Sequence, residues 1–194
     1  MGVEELLEQK SLLDQYLKRS LPKLSAYSFI NLFAWTDFFD FDLREIDHNL
    51  LVFAKDQAGM FLYFMPLGER LSSQAIDVAF DLMKNVNGQS RLSRIENVDE
   101  HSVNFFPKDQ FDIHLKCHEI CYYREDIAGL KGNDYKSRRA AVNQFVKTHP
   151  YQYLPYENSL KAECLELFHR WKSRKEKVAQ DDVSRLMLED NEKV

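Results

Sequence analysis

Residues Leu130 to Phe145, reading LKGNDYKSRRAAVNQF, gather Lys131, Lys136, Arg138 and Arg139 on a chain whose formal charge is -5. Such a cluster is the chemistry of anion recognition. Lys131-Gly132 reads as a tight turn, because glycine reaches backbone conformations that other residues avoid, and Asp134 stands where a helix N-cap belongs. On the helix that follows, a period of 3.6 residues places Tyr135, Val142, Phe145 and Val146 on one face, with Arg138 and Arg139 along the same side. At least one guanidinium then borders a buried stripe, where it needs a carboxylate, a phosphate or several carbonyls as partner. A structural ion pair and a docked anionic ligand both meet that need. The candidate anion- or substrate-binding residues are Lys131, Gly132, Tyr135, Arg138, Arg139 and Asn143, with Arg138 or Arg139 expected in the electrostatic role.

Other constellations carry less. His114, Cys117, His118 and Cys121 place four metal-capable side chains within one short segment. A strand would point the histidines one way and the cysteines the other, and a helix would string all four along one stripe, so no metal site is expected. Glu125-Asp126 could serve as a general base toward an amine, but an acidic pair at this place more commonly caps a short helix. Tyr122, Tyr123, Tyr135, Tyr151, Tyr153 and Tyr156 suit stacking on nucleic-acid bases or an acyl tunnel, and equally suit a half-buried strand with wet hydroxyls. The sequence contains no G-x-S-x-G elbow, no G-x-x-x-x-G-K-[ST] loop and no G-x-G-x-x-G, which argues against serine hydrolysis, nucleotide hydrolysis and dinucleotide redox. The nearest pyrophosphate cradle, Lys131 to Asp134, ends in a carboxylate that would repel its ligand. The basic run Trp171 to Lys175 reads as a solvated helix end.

The elements that must position these residues follow from periodicity. Val3 to Lys18, with Leu6, Leu13 and Leu17, reads as an amphipathic helix closed by Leu21-Pro22. Ser25 is placed to cap a helix over Ala26 to Phe39, apolar on most sides and therefore sandwiched in the fold. Phe41 to Ile46, Leu50 to Ala54 and Met60 to Met65 are strand-like runs separated by turn residues, an antiparallel meander. Ser73 to Asn85 shows a helical face of Ala75, Ile76, Ala79, Leu82 and Met83, ended by Asn87-Gly88. Leu92 to Ile95, Phe111 to Leu115, Ile120 to Tyr123 and Tyr151 to Tyr156 are expected as extended segments, Glu100 to Phe106 as a short helix and Ser159 to Lys175 as a longer one. Lys172 to Val194 reads as a solvated tail or linker.

The 194 residues, 44% of them hydrophobic and 13% aromatic, suffice for one well-cored domain with an extension. The acidic balance argues against a general nucleic-acid coat protein, so any polyanion contact must be local. Three cysteines are too few for a disulfide framework, and neither a secretory signal nor a membrane-spanning run is visible, so a soluble, cytoplasmic protein is expected.

The run Glu119 to Phe145, EICYYREDIAGLKGNDYKSRRAAVNQF, resembles a segment of the phosphatidylglycerol lysyltransferase C-terminal family: a tyrosine-rich strand, an E-D-[LI] turn, then L-K-G-x-x-Y-x-[SK]-[KR]-R-x-x-x-N-x-F. Tyr122, Glu125, Asp126, Leu130, Lys131, Gly132, Tyr135, Ser137, Arg138, Arg139, Asn143 and Phe145 occupy the matching positions. Upstream, S-x-x-N-L-F-x-W at Ser28, Asn31, Leu32, Phe33 and Trp35 resembles the start of such proteins. The resemblance implies an α/β (α+β) fold of the acetyltransferase-like (GNAT-type) kind, a mixed, largely antiparallel sheet flanked by helices. It implies residues 1-156 as a first acetyltransferase-like half and 157-194 as a helix and charged tail opening a second half that is expected to be missing. It further implies aminoacyl or acyl transfer without a metal, with aminoacyl-tRNA or acyl-CoA as donor and an anionic small molecule or aminoacyl-tRNA as partner. The rival reading is a non-catalytic binding module, a homodimer whose pairing substitutes for the missing half.

Overall fold

The computed structural model describes residues 2-20, 22-88 and 91-177. Among the described residues, those up to Cys117 and those from His118 to Lys177 form two compact units. The first contains α1 (Val3–Glu8), α2 (Lys10–Ser20), α3 (Phe29–Ala34), β1 (Asp40–Ile46), β2 (Asn49–Lys55), β3 (Met60–Leu62) and α4 (Ser73–Asn87). The second contains α5 (Arg124–Gly129), α6 (Lys136–Thr148) and α7 (Lys161–Glu176). The architecture is mixed α/β, with a three-stranded antiparallel sheet in the order β1-β2-β3 flanked by helices.

The meander forms because its apolar runs are separated by residues that turn. Asp47 and His48, both left-handed at φ 45° and 60°, make a two-residue hairpin loop and set the register Ile46 opposite Asn49 through Asp40 opposite Lys55. Asp56 closes the second hairpin, accepting hydrogen bonds from the amides of Ala58 and Gly59. Gly59 is required there: a Cβ would lie 2.4 Å from the Asn87 side-chain oxygen. That oxygen accepts from the Met60 amide and the Asn87 nitrogen donates to the Met60 carbonyl, which ties the last residue of α4 to the start of β3. In β2 every residue from Leu50 to Ala54 is fully buried, and α2 and α4 both pack against the strand. Leu6, Leu13 and Tyr16 cover the core from the first two helices, and Ala75, Ala79 and Met83 from α4.

The upstream S-x-x-N-L-F-x-W motif is absorbed by this core. Ser28 caps α3 by accepting from the Asn31 amide at 3.2 Å, Asn31 accepts the Tyr63 hydroxyl at 2.5 Å, and Leu32 is fully buried. Burial pushes the Tyr63 hydroxyl up to about 12. The helix expected over Ala26 to Phe39 is thus a shorter one, capped at Ser28 rather than Ser25. The chain leaves it at Trp35, whose ring meets Phe38 edge-on at 5.3 Å and Phe39 at a tilt at 6.0 Å between centroids.

Further along, Leu92 to Ile95 contributes one parallel bridge between Ile95 and Leu62 rather than a full strand. Glu100 to Phe106 reduces to a 3-10 turn over Ser102–Phe105. The extended segments expected at Phe111 to Leu115, Ile120 to Tyr123 and Tyr151 to Tyr156 pair with no strand among the described residues. Their alternating side chains are mostly exposed, Tyr153 at 91%, so alternation found no sheet edge to dock on. Most of the charged tail expected over Lys172 to Val194 lies outside the described residues, and the part within them, through Glu176, continues α7.

Among the described residues Asn49 is the buried polar one. Its nitrogen donates to the Arg70 carbonyl and its oxygen accepts from the Ser72 amide, both at 2.9 Å. Asn49→Ala strands both backbone groups and is expected to cost about 2-4 kcal/mol, read as a lower denaturation midpoint with an unchanged slope.

Glu96 provides a pH probe. Partial burial works against its ionisation, and hydrogen bonds from Lys116 at 2.5 Å and Arg94 at 2.7 Å outweigh this, holding the carboxyl below the ordinary range. A carboxyl lowered on folding contributes stability above its unfolded value, about 4.3, and loses it as pH falls through the folded value. Lys116→Met should therefore raise the midpoint pH of acid unfolding, with a loss of about 0.5-1 kcal/mol at pH 7 because Lys116 is largely exposed.

Candidate functional site

The second unit presents the basic segment. α5 ends where Leu130 turns left-handed at φ 46°, with its amide bonded to the Asp126 carbonyl at 2.7 Å, and Gly132 follows at φ 84°. Two positive φ values within three residues reverse the chain and deliver it to α6. A glycine accepts this at no steric cost, while Leu130 carries strain that something must offset. Arg139 offsets it. Its Nη1 donates to the Leu130 carbonyl and to the Gly132 carbonyl, the latter at 2.6 Å, so one guanidinium clamps both sides of the reversal. The expected turn is thus present and Arg139 is its clamp.

The helix start falls one residue later than the sequence suggests. Tyr135 occupies the N-cap position without a side-chain bond, and Asp134 does not cap. Arg138 takes a different partner from its neighbour: its Cζ lies 5.1 Å from the Tyr122 ring centroid, with Nη2 3.3 Å from the Tyr122 hydroxyl. Arg138 is exposed, as are Lys131, Lys136 and Asn143. Among the described residues Lys131, Lys136, Arg138 and Arg139 form no ion pair with a carboxylate. Arg139 is satisfied by carbonyls, Arg138 is held by an aromatic face, and Lys131 and Lys136 stand in solvent.

The apolar stripe is located where periodicity puts it but is not buried. Val142, Phe145 and Val146 are 50%, 49% and 47% exposed, and Phe145 stacks on His149 with centroids 4.9 Å apart and meets Tyr151 at a tilt at 5.6 Å. Sequence reasoning assumed a core beneath α6, and among the described residues of this unit none is buried. It also missed the Tyr122-Arg138 pair, whose only signal is the tyrosine-rich segment preceding the turn. A shallow concavity in this unit is lined by Leu165, His169 and Arg170 of α7, and none of the six candidate residues borders it.

Among the described residues no three metal-capable side chains converge. His114 meets Asp112 at 3.1 Å, and Cys117, Cys121 and Cys164 are free and exposed. Glu125 and Asp126 lie in the first turn of α5, where carboxylates complement the helix dipole. No described helix is long and apolar enough to cross a membrane.

The family described as phosphatidylglycerol lysyltransferase, C-terminal, matches residues 18-192. The chain belongs to this family. A crystal structure of a conserved protein of unknown function from Bacteroides thetaiotaomicron superposes with a TM-score of 0.74 at 20% identity, covering 96% of this chain. At that identity the likeness concerns the fold alone. The chain spans 66% of that protein's length. No curated protein matches. Within the segment Leu130 to Arg139 the geometry separates an arginine bonded to backbone carbonyls, Arg139, from an exposed one, Arg138.

If Arg139 clamps the reversal, Arg139→Ala should loosen residues 130-132 by about 1-2 kcal/mol and speed tryptic cleavage after the already exposed Lys131. Arg139→Lys should recover part of this loss, since an ammonium reaches one carbonyl more easily than two. Limited proteolysis and amide exchange at Gly132 read the effect. Unchanged cleavage at Lys131 in the alanine variant would remove the clamp.

Proposed function

We propose that this chain takes part in aminoacyl or acyl transfer on an acetyltransferase-like (GNAT-type) scaffold, with an anionic donor or acceptor held beside the Leu130-Gly132 reversal. The observation that carries the reading is a set of cations without carboxylate partners among the described residues, Lys131, Lys136 and Arg138, held beside a clamped turn in a family whose name denotes an aminoacyl transferase. Unneutralised cations on a rigid support are pre-organised for phosphate or carboxylate. Lys131 and Lys136 act as point charges, and Arg138, oriented by the Tyr122 ring, offers a planar fork.

Aminoacyl-tRNA and acyl-CoA are the donors that fit, each joining an activated acyl group to phosphates. Transfer consists of an amine attacking the ester or thioester carbonyl, collapse of the tetrahedral intermediate, and departure of the hydroxyl or thiol with a proton. No metal enters this scheme; the cations position the donor and stabilise charge. Arg139 and Gly132 shape the turn, Tyr135 starts the helix and Asn143 orients from its exposed flank. The chemistry belongs to the cytoplasm, in keeping with three free thiols.

A second reading is a non-catalytic module completed by pairing with another copy. It is favoured by the absence of any buried residue among the described residues of the second unit.

Paired Lys131→Ala and Arg138→Ala substitutions should leave the melting temperature within about two degrees, since exposed charges contribute little to stability. They should weaken binding of an aminoacyl-tRNA or acyl-CoA probe at least tenfold, which isothermal titration would register. Undiminished binding in the double variant would refute this site.

A further inference from the structure

A cavity of about 530 Å³ lies in the first unit, where the end of α2, the Asp47-His48 hairpin loop and the loop from Gly68 into α4 converge. Hydrogen bonds hold that meeting point together. The Ser20 hydroxyl donates to the Gly68 carbonyl at 3.4 Å, and Asn49 fixes the backbone on both sides of Leu71 through the Arg70 carbonyl and the Ser72 amide. Gly68 permits the close approach, since a Cβ there would lie 3.0 Å from the His48 carbonyl oxygen. The volume is that of a small-molecule site.

Its charges are of both signs and leave one another unpaired. Arg19 and Arg70 line the cavity together with Asp47 and Glu69. Among the described residues neither arginine forms an ion pair with a carboxylate, and Glu69 forms none with a cation. The Arg19 guanidinium lies 5.7 Å from the Tyr16 ring centroid, and Asp47 accepts from the Ser72 hydroxyl. We propose that this cavity binds a free α-amino acid, its carboxylate on Arg19 and Arg70 and its ammonium on Glu69 and Asp47.

Charge selects that ligand over simpler ones. A plain anion such as inorganic phosphate satisfies the guanidiniums but brings like charge beside two carboxylates, and a plain amine does the reverse. A zwitterion answers both signs, and a guanidinium fork takes a carboxylate in two parallel bonds. The start of α4 is not the anchor, because the Ser72 hydroxyl caps it and draws the Asp47 carboxylate there. The Tyr16 ring and Leu71 are apolar walls, which suit an apolar side chain on the ligand.

Titration of the full chain with L-leucine, followed by the amide chemical shifts of the labelled protein, tests the proposal. Saturation at a Kd of about 1 mM or tighter is expected, with shifts concentrated at residues 47-48 and 68-72. N-acetyl-leucine, which lacks the ammonium, and leucinamide, which lacks the carboxylate, should each bind at least about tenfold more weakly. Arg70→Gln should weaken leucine binding by about tenfold or more, and Glu69→Gln should narrow the gap between leucine and N-acetyl-leucine. Both side chains belong to exposed residues, so the fold survives their replacement.

Equal binding of leucine and N-acetyl-leucine by the unmodified protein would overturn the proposal, whatever the variants do. So would equally tight binding of inorganic phosphate, shifts confined to other residues, or unchanged affinity in Arg70→Gln. Absence of saturation by any common L-amino acid up to about 10 mM would overturn it too. The transfer reading shares no residue with this cavity and stands or falls separately, on the Lys131 and Arg138 pair.

Discussion

Burial of β2 on both of its faces is the constraint that organises the first unit. Leu50, Leu51, Val52, Phe53 and Ala54 are all fully inaccessible, so the strand requires a neighbour along each edge and cover above and below. β1 and β3 supply the edges, and the helices that contact the strand are α2 and α4. Four of those side chains bury about 1.5-3 kcal/mol each, enough to outweigh weak local preferences elsewhere in the unit. Asn49 sits at the head of the strand, and its two side-chain bonds to Arg70 and Ser72 fix the chain leading into α4. The S-x-x-N-L-F-x-W motif serves the same strand indirectly, since Asn31 holds Tyr63 and Leu32 enters the core. Upstream family residues are therefore scaffold.

The second unit is governed by charge and turn geometry instead of burial. Arg138 and Arg139 are adjacent in sequence, yet one meets an aromatic face and the other two backbone carbonyls. A helix rotates successive side chains by about 100°, so neighbours cannot share a partner set. Arg139 points back toward the reversal that precedes α6, where a left-handed leucine leaves its carbonyl available. Arg138 points toward the segment before α5, where Tyr122 is. The division of labour between clamp and exposed cation follows from that rotation.

How legible this was depended on whether a feature is local. The meander was legible because runs such as LLVFA, bounded by Asp-His and by Asp-Gln-Ala-Gly, contain both the strand preference and the turns that fix register. The Lys131-Gly132 turn was legible for the same reason, and so was the α4 face with its Asn87-Gly88 end. What failed was everything needing a distant partner. Alternation in Tyr151 to Tyr156 shows that one face could be buried, not that a sheet edge exists to bury it. Ser25 and Ser28 are equivalent cap candidates by type, and the choice fell to Ser28 because Leu32 and Asn31 then reach the core. The stripe on α6 was correctly placed and wrongly assumed to be covered, since periodicity reports a face and says nothing of what lies against it.

That last distinction bears on function. A helix whose apolar face is buried in its own domain uses its charged flank to meet a partner, and the two faces act independently. In α6 Arg138 and Arg139 lie along the exposed stripe at helical spacing, while Lys136 and Lys147 fall on the far side of the helix, so only part of the charge shares a face with the apolar residues. The favourable terms then add: apolar burial supplies free energy insensitive to salt, while the cations supply a part that salt removes. The clamp at Leu130-Gly132 keeps the first turn of α6, and with it Lys136 and Arg138, in fixed register with Lys131. The geometry at this end of the chain thus depends on one guanidinium held by two backbone carbonyls.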